Sequence, residues 1–301
     1  MIARARLRPG KGFQAHRTLF YFAQRIVPHY GLRRRIADAI ALGVRTTHRH
    51  ADPSTDPTSA MALATLRRSG LLMLPELVAH AEAVAMRTYF TPLPAITHGR
   101  VPAPIAQLPH GFGAAAYTLP TILDCPGLLR LLNAASVLDL ATSYLGCKPT
   151  LSSVGVRWSF PDCNQPEPTQ HLHRDPDDWR FLKLFIYLTD VDPESGPHRY
   201  VLGSHCTSGH LRDIHYTAAA VAQRFGPGAL HEVTGRSGTA FIADTYGIHA
   251  GAVPTRNPRL ILQAQYSLLP VYAFRYEPVP MAEAPPHDRY INRLLCRVGE
   301  A

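Results

Sequence analysis

The chain has 301 residues, 46% hydrophobic and 18% charged, which is enough for one large domain with a core of its own. Five cysteines (Cys125, Cys147, Cys163, Cys206 and Cys296), odd in number and without a CxxC pair, argue against a disulfide framework and against a zinc–cysteine site. They fit a reducing, cytoplasmic setting, and no apolar run approaches the ~20 residues that would span a bilayer.

The net charge of +9 is unevenly placed. Residues 1–50 hold eleven arginines or lysines against one acid, Asp38, for a net +10, while the remainder carries −1. This basic arm has three readings: a solvated helical extension, a docking surface for an anionic partner such as a carrier protein or membrane face, or an organelle-targeting segment. The lack of serine in residues 1–50 speaks against the third. Nothing matches a nucleic-acid-binding signature, so no nucleic-acid partner is expected.

Along the chain, residues 16–43 are predicted helical, with a break near 28–31. Residues 50–58 form a Pro/Ser/Thr/Asp linker. Three parts are expected: the arm and linker over 1–58, a catalytic domain over 59–280 and a tail over 281–301. Residues 60–69 read as a short helix stopped by Gly70, 71–74 as a buried strand, and 76–90 as a helix. Residues 91–120, rich in Pro, Gly and Ala, read as a long loop. Pro126 suits the first turn of a helix running to Tyr144 and ended by Gly146. From residue 150 the texture changes to strands: 150–160, 180–190, 199–205, 238–244 and 259–272. Helices come first and an antiparallel β body follows.

The most informative segment is QHLHRDPDD, residues 170–178. In an extended chain His173 and Asp175 point to one face and can converge on a metal. A second imidazole, His249, stands in DTYGIHAGA at the end of an apolar strand. Two imidazoles and a carboxylate on one face suit iron(II) and leave coordination positions open. An HxD alone is not specific in a chain with 16 histidines. Its surroundings add weight: FLKLFIYLTDVDPESGPHRYVLGSH follows it, Arg259 stands ten residues after His249, and LRRSGLLMLPEL precedes a helix in the N-terminal half.

In that order these segments, over roughly residues 60–272, resemble the phytanoyl-CoA dioxygenase family of Fe(II)/2-oxoglutarate-dependent oxygenases. LTDVDPESG and LGSH carry the likeness, with Leu202 where proline is common in the family. The resemblance implies a mainly β fold with flanking helices, built on a double-stranded β-helix or jelly roll. It implies His173, Asp175 and His249 as iron ligands, Arg259 on the far carboxylate of 2-oxoglutarate, and O2 as the other co-substrate. Arg256, in the loop PTRNP, competes with Arg259 for that role. Arg259 leads a strand with Ile261 and Gln263 on its face, and a guanidinium there can grip a carboxylate with two parallel hydrogen bonds.

Lys183, Phe185 and Tyr187 alternate and share a face. If it is the inner one, Lys183 and Tyr187 are candidates to contact 2-oxoglutarate. Gln170, His171 and Trp158 are candidates for the substrate, with core packing for Trp158 and a surface position for Arg157 as the plainer reading. Asp177 and Asp178 read as loop acids, and His205 and His210 as structural or exposed. Residues 91–120 and 206–236 read as lids over a small-molecule or carrier-bound substrate. The expected reaction is hydroxylation of an unactivated C–H. Two alternatives stay open: a jelly-roll zinc or manganese isomerase or hydrolase without 2-oxoglutarate, and a non-enzymatic protein that docks through its arm.

Overall fold

The computed structural model describes residues 3–7, 14–48, 57–97, 101–108, 111, 113–161, 168–209, 215–281 and 287–298. Cys163, His210, most of the 50–58 linker and much of the 281–301 tail lie outside the described residues. The chain opens with β1 (Ala3–Arg4), then α1 (Ala15–Ile26) and α2 (Tyr30–Thr47). The predicted break falls between these helices, where Pro28 cannot donate and His29 Nδ1 accepts from the Leu32 N–H. Next come α3 (Pro57–Ser69), β2 (Leu71–Met73) and α4 (His80–Phe90). Gly70 stops α3 at φ +77°, a conformation that costs glycine little. Helix α4 starts four residues later than expected, because the chain after Pro75 first turns, with Leu77 N–H on the Leu74 carbonyl.

The long loop contains β3 (Ala114–Ala116) and α5 (Leu119–Leu123). The single helix expected from Pro126 to Tyr144 is two, α6 (Leu128–Leu132) and α7 (Ala135–Leu145). Asn133 divides them: its side-chain amide donates to the Leu129 carbonyl and to Asn292, competing with the helical ladder. The strands are β4 (Thr150–Ser159), β5 (Phe181–Tyr187), β6 (His198–Val201), then, after α8 (Ala218–Phe225), β7 (Leu230–Val233), β8 (Ala240–Ala243), β9 (His249–Gly251) and β10 (Arg259–Ser267). Strand β10 ends five residues early, because Ser267 Oγ turns onto the Leu269 carbonyl and Leu269 N–H onto Asp178. The remainder is β11 (Phe274–Arg275), β12 (Val279–Met281), α9 (Arg289–Asn292) and β13 (Cys296–Val298).

Six strands form the major sheet in the order β2-β8-β5-β10-β4-β3, every pair antiparallel. The minor sheet is β7-β6-β9, and His173 extends it by bridging to His249. Facing one another, the two sheets make the jelly roll. Of the described residues, helix accounts for 38% and strand for 25%, so the mainly β description fits the core better than the rest.

Both faces of the major sheet are buried. Leu182, Leu184 and Ile186 of β5, Leu260, Leu262 and Ala264 of β10, and Val154, Val156 and Trp158 of β4 face the helices. Phe185, Tyr187, Phe241 and Ile261 face the minor sheet. The N-terminal segment packs on this body. Ala37 and Ala41 of α2 join the helix-side core, Arg45 donates to the Gly146 carbonyl, and β1 pairs with β11. Buried Arg33 donates to the carbonyls of Gln24 and Asp178 and lies 4.5 Å over the Tyr246 ring.

Candidate metal centre

The segment after Gln170 runs extended along the minor sheet. His173 and His249 exchange backbone hydrogen bonds, both 2.9 Å, and Asp175 N–H donates to the Thr245 carbonyl at 2.9 Å. That register sets His249 directly opposite His173, with Asp175 two residues on and on the same face. His173 Nε2 lies 3.4 Å from Asp175 Oδ1, and His249 Nε2 lies 3.3 Å from Asp175 Oδ2. One donor atom from each of the three residues lies within 4.8 Å of the others.

The outer ring nitrogens are held by backbone carbonyls: His173 Nδ1 is 2.7 Å from the His171 oxygen, and His249 Nδ1 is 3.0 Å from the Gly247 oxygen. Each carbonyl must receive a proton, so Nδ1 carries it and both Nε2 lone pairs face the cluster. For Asp175, burial is outweighed chiefly by the Lys183 ammonium, and its carboxyl is held well below the usual range. Burial, reinforced by His173, pushes the His249 imidazole down. The donor set is therefore one carboxylate and two converging imidazoles, which fits a divalent iron-like ion.

Lys183 is on the inner face, as its alternation with Phe185 and Tyr187 allows. Its ammonium is 2.6 Å from Asp175 Oδ2 and 3.1 Å from Asp177 Oδ2. Burial works against the charge on Lys183, but the two carboxylates overcome it and raise the pKa above the ordinary value. Two of the three N–H donors of the ammonium thus serve aspartates, and its contact to Asp175 ties it to the metal-site carboxylate. Tyr187 is also engaged within the protein. Its hydroxyl donates to the Val233 carbonyl at 2.8 Å and accepts the His198 N–H at 2.9 Å. Asp177 and Asp178 lie in the loop before β5, as expected, and both are engaged there: Asp177 pairs with Lys183, and buried Asp178 accepts from the Trp179 and Leu269 N–H groups.

Arg259 is among the largest fully buried side chains. Its Nε and Nη1 have no hydrogen-bond partner, and Nη2 has only Ser159 Oγ at 3.4 Å. No carboxylate pairs with it among the described residues. Burial pushes its pKa down to about 10, with Tyr187 opposing and Arg157 assisting. The guanidinium comes so close to Gly251 that a Cβ there would lie 2.9 Å from Nη2. Gly251 and His249 share a face of β9, about 7 Å apart at two residues' rise. The competing residue, Arg256, is exposed and paired with Glu194 at 3.2 Å.

Two residues at the site were not singled out from the sequence. His198, on β6 opposite Gly251, is buried with Nε2 unpartnered, and its ring lies 4.6 Å from Phe185 and 5.6 Å from His249. Burial, then His249 and Arg259, keep it neutral. Arg174, the central residue of the HxD, points to the opposite side and donates to the carbonyls of Ser204 and Tyr246, to Thr207 Oγ1 and to the Tyr216 hydroxyl. It ties the ligand strand to the loop that leads into His249.

Among the substrate candidates, Trp158 takes the plainer, core-packing reading. It lies opposite Leu260 on the helix-side face and donates to the Tyr117 hydroxyl at 3.1 Å. Its neighbour Arg157 is the half-buried residue on the inner face, opposite Ile261, and not a surface arginine. Gln170 is half-buried beside the ligand strand, and the exposed His171 ring lies 4.7 Å from that of His215. His205 is structural: buried, with Nε2 3.1 Å from the Arg67 carbonyl.

No family model matches the chain, and no curated protein matches it in sequence. Solved structures share its fold. SnoK, described as a non-haem α-ketoglutarate-dependent carbocyclase of nogalamycin biosynthesis, is 19% identical over 72% of this chain and 87% of its own, with a TM-score of 0.52. EctD from S. alaskensis in its apo form is 21% identical over 83% and 91%, TM-score 0.52. HygX from Streptomyces hygroscopicus, solved with nickel and 2-oxoglutarate bound, is 17% identical over 74% and 92%, TM-score 0.51. The chain thus shares the fold of these structures.

Proposed function

We propose that this protein is an Fe(II)- and 2-oxoglutarate-dependent dioxygenase that oxidises an unactivated C–H bond of a small molecule. The observation that carries this reading is the Arg259 guanidinium. A buried arginine without an anionic partner is costly in a protein that only has to fold. It lies beside Gly251, one two-residue step along β9 from His249. A ligand that meets the metal at one end and carries a carboxylate at the other spans that step, and 2-oxoglutarate has that form. A zinc or manganese enzyme without this co-substrate has no use for a buried, unpaired guanidinium there.

His173, Asp175 and His249 would hold the metal, and their Nδ1–H···O=C bonds keep both Nε2 lone pairs on target without adjustment. Lys183 holds one oxygen of Asp175 and so limits how that carboxylate can turn. Arg259 would take the far carboxylate of 2-oxoglutarate, with neutral His198 offering an uncharged wall between it and the metal. Phe185, Phe241 and Ile261 keep water from that wall. With its co-substrate and O2, iron supplies an oxidant able to attack an unactivated C–H bond. Gln170 and His171, on the segment leading into His173, are placed to meet the substrate. SnoK is described as a carbocyclase, so ring closure stands beside hydroxylation as an outcome of the same attack.

The test is calorimetric titration of 2-oxoglutarate into nickel-loaded full-length protein. The reading predicts binding that requires the metal and that weakens about 100-fold or more in Arg259→Met, from loss of a buried charge-assisted pair. Binding without metal, or affinity indifferent to Arg259, would overturn it.

A further inference from the structure

The first long helix is mounted inside out. Helix α1 carries Leu19, Phe22 and Ile26 at spacings of three and four, one continuous apolar stripe. In a helix that serves only the core, that stripe would face the body. Here Leu19 is 68%, Phe22 50% and Ile26 72% exposed. The opposite, polar side faces inward. Gln24 is the buried residue of the helix, its carbonyl accepts from Arg33 at 2.6 Å, and Arg17 donates to the Phe274 carbonyl at 2.6 Å. Phe20 stacks on Tyr272 with ring centroids 4.9 Å apart. These contacts clamp α1 in the orientation that turns the stripe outward.

The N-terminal segment that carries the stripe is one-sided in charge along the sequence. No acidic residue occurs before Asp38, and residues 1–50 are net +10. Arg25 belongs to α1 itself, and Arg34 and Arg35 at the start of α2 are exposed. An apolar helical face in an arginine-rich segment matches an anionic bilayer surface, with apolar side chains in the acyl boundary and arginines on the headgroups. A second copy of the chain is the poorer occupant, because packing stripe on stripe would set two strongly basic segments together.

From this arrangement we propose that α1 is a docking surface for anionic lipid membranes, entering the interface through Leu19, Phe22 and Ile26. The protein rests on the bilayer and does not cross it: no helix among the described residues is long and apolar enough to span. The proposal is independent of the metal chemistry. It would hold the catalytic body at a membrane surface, where an amphiphilic substrate concentrates.

Co-sedimentation of the full chain with vesicles tests it. One set is phosphatidylcholine alone, and the other contains phosphatidylglycerol as well. The expected result is binding to the anionic vesicles that weakens with added salt. The combined variant Leu19→Ser, Phe22→Ser and Ile26→Ser should lower partitioning about tenfold or more, since the apolar contribution is lost while the charge stays. All three side chains are exposed, so its thermal melt should match the parent protein. Absence of binding to anionic vesicles would overturn the proposal, as would a triple variant that binds like the parent. A dimer in sedimentation velocity that the triple variant abolishes, without vesicle binding, would overturn it in favour of a second copy.

Discussion

The two faces of β10 follow opposite rules. One face, Leu260, Leu262, Ala264 and Tyr266, sinks into the helix-side core, and its one side-chain polar atom, the Tyr266 hydroxyl, donates to the Leu132 carbonyl at 2.7 Å. The other face presents Arg259, Gln263 and Gln265 to the space between the sheets. There Arg259 and Gln265 are buried with side-chain atoms that have no protein partner. Each such atom costs about 1–3 kcal/mol. One strand thus stabilises the fold through its even-numbered residues and holds ligand-ready groups on its odd-numbered ones. The same division runs across β5, where Leu182, Leu184 and Ile186 pack and Lys183 grips the metal-site carboxylate.

The comparison can be broken at either face. The largest effect is expected at the centre. His249→Ala removes one of three donors and should weaken nickel or cobalt binding by at least about a hundredfold by calorimetry, exceeding the effect of losing an outer-sphere partner. On the helix-side face, Leu262→Ala empties a fully buried position and should cost about 2–5 kcal/mol in urea unfolding, with normal metal binding per folded molecule. If Leu262→Ala harmed binding and spared stability, the division of labour would be wrong.

Arg259→Met should act in reverse, stabilising the ligand-free protein while removing 2-oxoglutarate affinity. The sign follows from its lowered pKa. At neutral pH the arginine is charged in both folded and unfolded chains, and burial penalises only the folded one. That penalty is present below about 10 and fades as pH rises toward the ordinary value of 12.5. Removing it should raise stability by an amount on the order of 3 kcal/mol, one pKa unit being about 1.4 kcal/mol. The smallest effect is predicted for Arg256→Ala, an exposed residue paired with exposed Glu194. It should change stability by less than about 0.5 kcal/mol and leave 2-oxoglutarate binding unaltered.

Much of the site could be read from the sequence, because its parts are local or ordered along the chain. His173 and Asp175 are an i, i+2 pair, and His249 and Arg259 follow at recognisable spacing. Alternation groups Lys183, Phe185 and Tyr187 correctly, and likewise Arg259, Ile261 and Gln263. What alternation cannot say is which of two faces turns inward. Burying tryptophan and exposing arginine works for a sheet with one wet face. Here helices cover the other face, so both sides of β4 are enclosed: Trp158 packs in the core, as the plainer reading had it, and Arg157 is half-buried on the inner face. His198, Arg174 and the contact of Lys183 with Asp175 depend on pairings between segments 8 to 72 residues apart, which no local pattern encodes. The same limit applies to α1: its stripe was legible, but its outward orientation is set by tertiary contacts to Phe274, Arg33 and Tyr272.

The most direct test of the central claim is optical. Iron(II) is added anaerobically to the metal-free protein, with and without 2-oxoglutarate, and the visible spectrum is recorded. The account predicts a metal-to-ligand charge-transfer band that needs both components, is absent in His173→Ala, and is weakened in Arg259→Met. Tight iron binding with no band on adding 2-oxoglutarate would contradict it and leave the site to a metal enzyme of another kind.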